Sequence, residues 1–183
     1  IWSETFKDLD FSFDLYTRTG TENHKEVVQK LFTLLNDKGY LEEQVSSQPY
    51  SEESEMFLSD RYIEGDCPHC PSRTKGDQCD NCGQDFEPSD LKNLISTIDN
   101  SKVTFKETNH IYLKLPKFQE NLNKWINSKS YWRPSVKNQS LGFLSNGLID
   151  RAITRDIDWG VEVPIKNYEK KRIYVWFEAV IGY

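Results

Sequence analysis

The chain has 183 residues, 37% of them apolar and 13% aromatic, which is enough for one packed domain or two small ones. Its formal net charge is -6, whereas independent nucleic-acid-binding domains are usually basic, so strong nucleic-acid binding by this chain alone is not expected. No apolar run reaches the roughly 18–20 residues that a membrane-spanning helix needs. With no secretory signal visible, these features predict a cytoplasmic protein without membrane partners.

The two ends of the chain predict a piece of a longer protein. The chain begins at Ile1 without an initiator Met, and it ends inside the apolar run 173–183. A natural C-terminus is usually polar and poorly ordered.

The first predicted element is an amphipathic helix at 21–38. Thr21 can cap its start, Gly39 can end it, and its apolar face is predicted to hold Val27, Leu31, Leu34 and Leu35. An extended segment is expected from Tyr40 to Val45. Short strand-like stretches are expected at Met56–Leu58 and Arg61–Ile63.

The cysteines form two Cys-x-x-Cys pairs, which are Cys67 with Cys70 and Cys79 with Cys82. Each such turn directs two thiolates to one point, so two facing turns can hold a single tetrahedral Zn²⁺. His69 lies between two of the ligands and is interpreted as an exposed loop residue. A closed four-thiolate site is structural, because it leaves no open position for a substrate.

Other interpretations of the cysteines remain open. Two disulfides would need an oxidising compartment, and a redox Cys-x-x-Cys would leave the repeated spacing unexplained. A rubredoxin-like iron would use the same four ligands, and spacing alone does not separate the two metals.

After the cysteines, a turn is expected near Pro88–Asp90. It is followed by a β-hairpin whose strands run from Lys102 to Glu107 and from Ile111 to Leu115, with the turn at Thr108–Asn109. The hairpin would place two antiparallel strands next to each other in the sequence.

The last third of the chain predicts two helices and two extended segments. The helices are expected at Lys117–Ile126, with Leu122, Trp125 and Ile126 buried, and at Ser135–Leu144. Gly147–Ile153 is expected to be extended. The near-continuous apolar run Arg172–Phe177 is typical of a buried strand in a parallel sheet.

Several segments resemble methionyl-tRNA synthetases. They are Arg151–Asp156 (RAITRD), Asp158–Pro164 (DWGVEVP) and Tyr174–Tyr183 (YVWFEAVIGY). Phe57–Cys70 and Gly76–Gly83 resemble the entry and exit of that family's zinc knuckle. The resemblance is collinear and covers almost the whole chain.

The resemblance implies an α/β fold, namely part of a Rossmann-type class I synthetase catalytic domain interrupted by a β-rich connective-peptide insertion. Residues 1–45 would belong to the first half of the catalytic domain, 46–150 to the insertion with its zinc knuckle at about 64–86, and 151–183 to the returning catalytic sheet. Some members carry a second knuckle. Its position falls at Ser96–Asp99, which lacks cysteine, so one metal ion is expected.

The resemblance also implies an activity and a binding pocket. Enzymes of this family activate methionine with ATP and Mg²⁺ and transfer it to tRNA(Met). By motif, the residues that match the methionine pocket are Trp176, Ala179, Val180 and Tyr183, and Arg155 matches a residue at the mouth of the active site. Aromatic edges suit a polarizable thioether.

Alternatives remain for two of these residues. Trp176 could be a core residue of a buried strand, and Arg155 could form an ion pair that fixes the insertion to the catalytic core. The chain also departs from the family pattern, since Glu178-Ala179-Val180 stands where the family has Asp-Ala-Pro.

The family's ATP-handling signatures, His-x-Gly-His and Lys-Met-Ser-Lys-Ser, are absent from the chain. No catalytic residue is therefore assigned, and the isolated chain is expected to be inactive. His24 and His110 are interpreted as non-catalytic. The competing hypothesis is a free-standing zinc-ribbon interaction module, against which the acidic charge and the apolar C-terminus count.

Overall fold

The computed structural model describes residues 2–76, 78–84, 86, 88–145 and 147–182. The helices are α1 (Trp2–Asp8), α2 (Glu22–Asp37), α3 (Gln119–Asn127), α4 (Pro134–Ser145) and α5 (Val175–Ala179). The strands are β1 (Leu41–Ser51), β2 (Met56–Phe57), β3 (Ile63–Asp66), β4 (Arg73–Lys75), β5 (Lys92–Ser96), β6 (Val103–Leu113), β7 (Arg151–Ala152), β8 (Thr154–Arg155) and β9 (Arg172–Ile173). Short 3-10 turns occupy Asp60–Tyr62, Pro88–Asp90, Leu115–Phe118 and Val180–Gly182.

Helix α2 confirms the first predicted element and its two ends. The Thr21 side chain accepts a hydrogen bond from the backbone N–H of His24 at 3.3 Å, and Gly39 follows the last turn with φ of +71°. The predicted apolar face is partly wrong, because Val27 and Leu34 are exposed while Val28 and Phe32 are fully buried. The position of the sheet, which the helix pattern does not specify, decides which side of α2 is covered.

Strands β1 and β6 pair antiparallel over eleven residues, from Leu41 opposite Leu113 to Ser51 opposite Val103. The predicted hairpin within 102–115 is therefore wrong. Its expected turn, Thr108–Asn109, lies in the middle of β6. A distant strand of equal length satisfies the backbone groups of these two polar residues, so no local turn is needed. With β2 and β7 at its edges, the sheet has the order β2-β1-β6-β7.

A second antiparallel sheet, in the order β4-β3-β5, carries the cysteine loops. The strand expected at Arg61–Ile63 is wrong for its first two residues, which lie in a 3-10 turn before β3. Gly65 permits close approach of β3 and β5, since a Cβ there would lie 2.8 Å from the carbonyl oxygen of Lys92. The core of this sheet consists of Leu58, Ile63, Cys67, Cys79, Phe86, Leu91 and Val103.

The C-terminal part returns to the first core but does not form the predicted long strand. In Arg172–Phe177 only β9 is a strand, it pairs antiparallel with β8, and helix α5 begins at Val175. Ile173 in β9 and Phe177 in α5 are buried, whereas Val175 and Trp176 are exposed in the first turn of α5. Residues of α2, β1, β6 and 153–177 share one core, which comprises Val28, Phe32, Leu41, Ile111, Ile153, Val161, Val163, Tyr168, Ile173 and Phe177.

Helices α3 and α4 confirm the two predicted helical segments. Of the side chains expected to be buried in the first of them, Ile126 is buried, Leu122 is half-buried and Trp125 is exposed. Within Gly147–Ile153 only β7 is paired in a strand. Every strand pair in the described residues is antiparallel, and no helix among them has the length and apolar character that a bilayer span requires.

Candidate functional sites

The four cysteine side chains converge on one point beside the second sheet. Cys67 and Cys70 lie in the loop between β3 and β4, and Cys79 and Cys82 lie in the loop after β4. Their sulfur atoms all lie within 4.8 Å of one another. Among the described residues, they form the one cluster of histidine, cysteine or acidic side chains that could hold a metal ion.

The sulfur spacing fits a tetrahedral ion. Cys67 Sγ lies 3.8 Å from Cys82 Sγ, and Cys70 Sγ lies 3.7 Å from Cys79 Sγ. A tetrahedron with metal–sulfur bonds of about 2.3 Å has edges of about 3.8 Å. The four predicted ligands are therefore brought together at the separation that one ion needs. The thiols are free, which does not support the alternative of two disulfides.

Each cysteine loop is held in the same way by its backbone. The N–H of Cys67 donates to the carbonyl of Ser72 at 2.9 Å, and the N–H of Cys79 donates to the carbonyl of Gln84 at 3.0 Å. Gly83 has φ of +70° and donates its N–H to the Cys79 carbonyl at 2.7 Å. These bonds close both turns with the sulfurs facing each other.

Hydrogen bonds to sulfur favour the thiolate forms that a metal requires. The backbone N–H of Ser72, followed by the Asn81 side chain, lowers the pKa of Cys70 to about 6. The backbone N–H of Cys82 lowers the pKa of Cys79. At Cys82 the backbone N–H of Gln84 acts in the same direction, but burial and the neighbouring thiols outweigh it and raise the pKa to about 11.

The loop at Ser96–Asp99, which lacks cysteine, is organised around the carboxylate of Asp99. This carboxylate accepts hydrogen bonds from Ser54 Oγ, from Ser51 Oγ at 2.7 Å and from the backbone N–H of Ser101 at 3.0 Å. The hydroxyl of Ser54, then the N–H of Ser101, lowers the pKa of Asp99. Direct hydrogen bonds to a charged side chain therefore hold this loop closed.

Three residues predicted for a binding pocket lie close together on helix α5 and the 3-10 turn that follows it. Trp176, Ala179 and Val180 are spaced three and four residues apart, which puts them on one helical face. Trp176 is 68% exposed, so it is not the buried strand residue of the alternative interpretation. The fourth predicted residue, Tyr183, lies outside the described residues.

Arg155 is held by backbone carbonyls and an aromatic ring. Its guanidinium donates to the carbonyls of Ala152 at 3.1 Å and Thr154 at 2.9 Å, and it stacks 3.7 Å over the ring centroid of Tyr174. Within the described residues no carboxylate lies in ion-pair range of it. Tyr174, on which Arg155 stacks, directly precedes α5, and Asp156, the residue after Arg155, belongs to the buried network described next.

A buried charged network, which the sequence did not reveal, joins β6 to the C-terminal segment. His110 is 1% exposed, and its Nδ1 lies 2.9 Å from Thr154 Oγ1 while its Nε2 lies 3.1 Å from Asp156 Oδ2. Asp156 also forms an ion pair with Lys171, and Thr108 donates to its carboxylate at 3.1 Å. The sequence offers little signal for this network, because His110 is one of several polar residues in β6 (VTFKETNHIYL).

The environment lowers the pKa of His110 and of Asp156. Burial is the main cause for His110, and it outweighs the opposing effect of the Asp156 carboxylate. For Asp156 burial acts to raise the pKa, but hydrogen bonds from His110 and Lys171 outweigh it. His110 is therefore neutral and Asp156 is charged near neutral pH.

We expect the free energy of unfolding to decrease as the pH falls below about 6.5. Because the folded-state pKa of His110 is lower than its unfolded value of 6.5, its contribution is complete above that pH. This contribution to stability is lost as the pH falls from 6.5 towards the folded-state pKa, because over that range the His110 side chain binds a proton in the unfolded chain but not in the folded one. Denaturant unfolding between about pH 5 and pH 7.5 measures this slope.

The matched variant for this titration is His110→Gln, which retains a polar side chain but does not titrate. It should have lower stability at neutral pH and a flatter dependence on pH. An equal slope in the original and the variant would show that another group causes the acid sensitivity.

A second buried contact links α2 to α5. His24 Nε2 lies 3.6 Å from Glu178 Oε2, and both atoms are buried without another hydrogen-bond partner among the described residues. Phe32 and Phe177 pack edge to face next to it, with ring centroids 6.5 Å apart. Glu178, which departs from the family pattern in the sequence, is thus directed into the protein and away from the face of Trp176.

Comparison with known proteins gives consistent similarities. The family described as tRNA synthetases class I (M) matches residues 1–183. A methionine–tRNA ligase of Thermoplasma volcanium is 46% identical over 181 residues, covering 98% of this chain and 33% of that protein. One of Dehalococcoides mccartyi is 46% identical over 184 residues, covering 100% and 33%.

Solved structures share the fold. Methionyl-tRNA synthetase of Mycobacterium tuberculosis in complex with methionyl-adenylate superposes with a TM-score of 0.64 at 21% identity, covering 99% of this chain and 31% of that one. The mixed helices and sheets therefore have the class I synthetase arrangement. The chain spans about a third of the length of the relatives it matches.

Proposed function

Because the chain belongs to the family of tRNA synthetases class I (M), we propose that it forms about a third of a methionine–tRNA ligase. That enzyme activates methionine with ATP and Mg²⁺ and transfers the methionyl group to tRNA(Met). The observation that carries this proposal is the collinear similarity to methionine–tRNA ligases over 98–100% of the chain. The exposed Trp176 on α5, available to a ligand, supports it.

The proposed division of the chain follows the family pattern. Residues 1–45 and 151–183 belong to the catalytic domain, and residues 46–150 form the insertion. Residues of α2 and of 153–177 share one core, which supports the first assignment, and Ile111 of β6, inside the insertion, packs into the same core. Strand β1 continues through position 45 without a break, so the insertion is joined to the catalytic part by a continuous sheet.

We assign the four-cysteine site to one structural Zn²⁺, bound by Cys67, Cys70, Cys79 and Cys82. The sulfur separations and the N–H donors to sulfur support a closed thiolate site. Bound zinc cross-links two loops whose own core is small. Four free thiols also suit a reducing compartment, which supports a cytoplasmic location.

A free-standing zinc-ribbon module fits the structure less well. The core around the cysteines includes Val103, the first residue of β6, and β6 pairs along its whole length with β1. The ribbon is therefore part of a larger folded unit.

The methionine pocket is proposed at Trp176, Ala179, Val180 and Tyr183, with Arg155 at its mouth. The side chain of Trp176 offers an aromatic surface to a thioether. Phe177 packs on Phe32 in the core and holds α5 in place beneath that surface. Because these buried contacts fix the orientation of α5, the exposed face that carries Trp176 would be held in place for a ligand.

Methionine-dependent pyrophosphate exchange tests the proposed function. The full-length protein carrying this chain should catalyse exchange, and the isolated 183 residues should not, because the two ATP-handling signatures are absent from them. Absence of exchange in the full-length protein would contradict the assignment. Exchange by the isolated chain would contradict the prediction that ATP handling needs segments outside these 183 residues.

Trp176→Ala in the full-length protein is expected to raise the KM for methionine about tenfold, which corresponds to about 1.4 kcal/mol. The KM for ATP should change much less, because the lost contact is with the amino-acid side chain. Trp2→Ala, which removes an exposed tryptophan from α1, is the matched control. An unchanged methionine KM in Trp176→Ala would remove that residue from the pocket.

A further inference from the structure

The charge of the chain is unevenly distributed. Residues 115–145, which contain α3 and α4 and are called the helical hairpin below, have five basic residues and one acidic residue. The remaining residues have eighteen basic and twenty-eight acidic side chains. A net charge of -6 for the whole chain therefore conceals one strongly basic element.

The cations of the helical hairpin have no carboxylate in ion-pair range among the residues that the structure describes. In the described part of the chain, the ion pairs at up to 4.0 Å involve basic residues elsewhere, such as Lys25, Arg73, Lys106 and Lys171. None involves Lys117, Lys124, Lys129, Arg133 or Lys137. Lys117 and Lys137 donate to the carbonyls of Gly39 and Asn127, which orients them but leaves their charge uncompensated.

Aromatic side chains are exposed among these cations. Trp125 is 49% exposed, Tyr131 78% and Phe143 65%. Trp125 packs edge to face against Trp132 with ring centroids 5.2 Å apart, and Lys129 Nζ lies 4.8 Å from the Trp125 ring centroid. The helical hairpin thus presents aromatic faces and positive charge side by side.

The helical hairpin has buried packing residues besides these partly exposed aromatics. Ile126 and Leu144 are its buried anchors. Gln119 ties its two ends together, since its side chain donates to the Leu144 carbonyl and accepts from the N–H of Leu148 at 2.9 Å. The exposed rings and cations are therefore held on an ordered scaffold and remain free to contact a partner.

We propose that the helical hairpin is a contact surface for tRNA. Its uncompensated cations would bind backbone phosphates, and Trp125 and Tyr131 would stack on unpaired bases. Charge complementarity selects this partner, because the rest of the chain is acidic and would repel RNA. Naming tRNA as the RNA rests on the proposed synthetase function.

The test uses the full-length protein with Lys124, Lys129 and Arg133 each replaced by Glu. We expect tRNA binding to weaken at least about tenfold, and the dependence of log affinity on log salt to become shallower by about 0.7–0.9 per lost phosphate contact. The matched control replaces three exposed lysines outside the hairpin, Lys7, Lys166 and Lys170, by Glu and should retain most of the affinity.

Stacking is tested separately with Trp125→Leu, which should weaken tRNA binding about fivefold or more without changing the salt dependence. Pyrophosphate exchange without tRNA should be unchanged in all these variants, which shows that they are folded.

Loss of exchange in the unsubstituted protein would contradict the proposed function. Equal tRNA affinity and equal salt dependence in the charge-reversed hairpin and its control would overturn the inference. The inference would also be overturned if the charge-reversed hairpin variant lost binding to anionic vesicles, or to another protein, while its tRNA binding stayed intact.

Discussion

Replacement of Cys79 by Ser is expected to reduce bound zinc from about one ion per chain to nearly none. Its side chain is 1% exposed, supplies one of the four predicted ligands and forms part of the local core, and the cluster holds no fifth candidate ligand among the described residues. A four-ligand zinc site contributes about 10–16 kcal/mol of apparent binding free energy to a small folded segment. Metal analysis of the purified variant and thermal unfolding with and without a chelator measure the two losses.

Two substitutions in the same loops distinguish the predicted cysteine ligands from residues that only lie next to them. His69→Ala should retain zinc, because only the backbone N–H of His69 contacts a ligand sulfur, at 3.3 Å from Cys67 Sγ. Asn81→Ala removes a donor that lies 3.6 Å from Cys70 Sγ and should lower metal affinity about 10–100-fold without abolishing it. Full zinc retention in all four single Cys→Ser variants would refute the site.

Replacement of Lys171 by Met is expected to lower the free energy of unfolding by about 3 kcal/mol, since removal of one partner leaves a buried charge uncompensated. The Lys171 side chain is 11% exposed and that of Asp156 is 16% exposed. Among the described residues, the Asp156 carboxylate would then retain His110 and Thr108 as partners. Denaturant unfolding at neutral pH measures the change.

An exposed ion pair provides the control for this loss. Lys75→Met breaks a contact of 3.8 Å with Glu64 in which the lysine is 61% exposed, so a cost of at most about 1 kcal/mol is expected. A double variant, Lys171→Met with Asp156→Asn, should cost less than the sum of its single changes, because the two groups interact directly. Additive costs would show that the network is not coupled.

Features that depend on neighbouring residues were predictable from the sequence. Thr21 and Gly39 bound α2 through hydrogen bonds and backbone angles within one helical turn. The two Cys-x-x-Cys pairs identified the four sulfurs that converge, because each turn is stereochemically self-contained. The collinear motifs identified the family, which the match over residues 1–183 confirms.

Features that depend on distant partners were not predictable. The pattern of 102–115 resembled a hairpin because polar Thr108 and Asn109 separate the alternating stretch Lys102–Glu107 from the stretch Ile111–Leu115. Pairing with β1, more than fifty residues away, keeps them in one strand. The apolar run 172–177 resembled a buried strand, yet Phe32 of α2 and the first core cover only one side of it.

The sequence by itself determined which four cysteines converge, the ends of α2 and the family, since each follows from chemistry within a short stretch of chain or from the order of motifs along it. Only the tertiary structure decided that Trp176 is exposed on a helix, that His110 is buried between Thr154 and Asp156, and that the basic helical hairpin has no carboxylate partners among the described residues. These outcomes depend on which surfaces meet. A residue's burial and charge compensation are set by groups far away in the sequence, and local patterns carry no record of them.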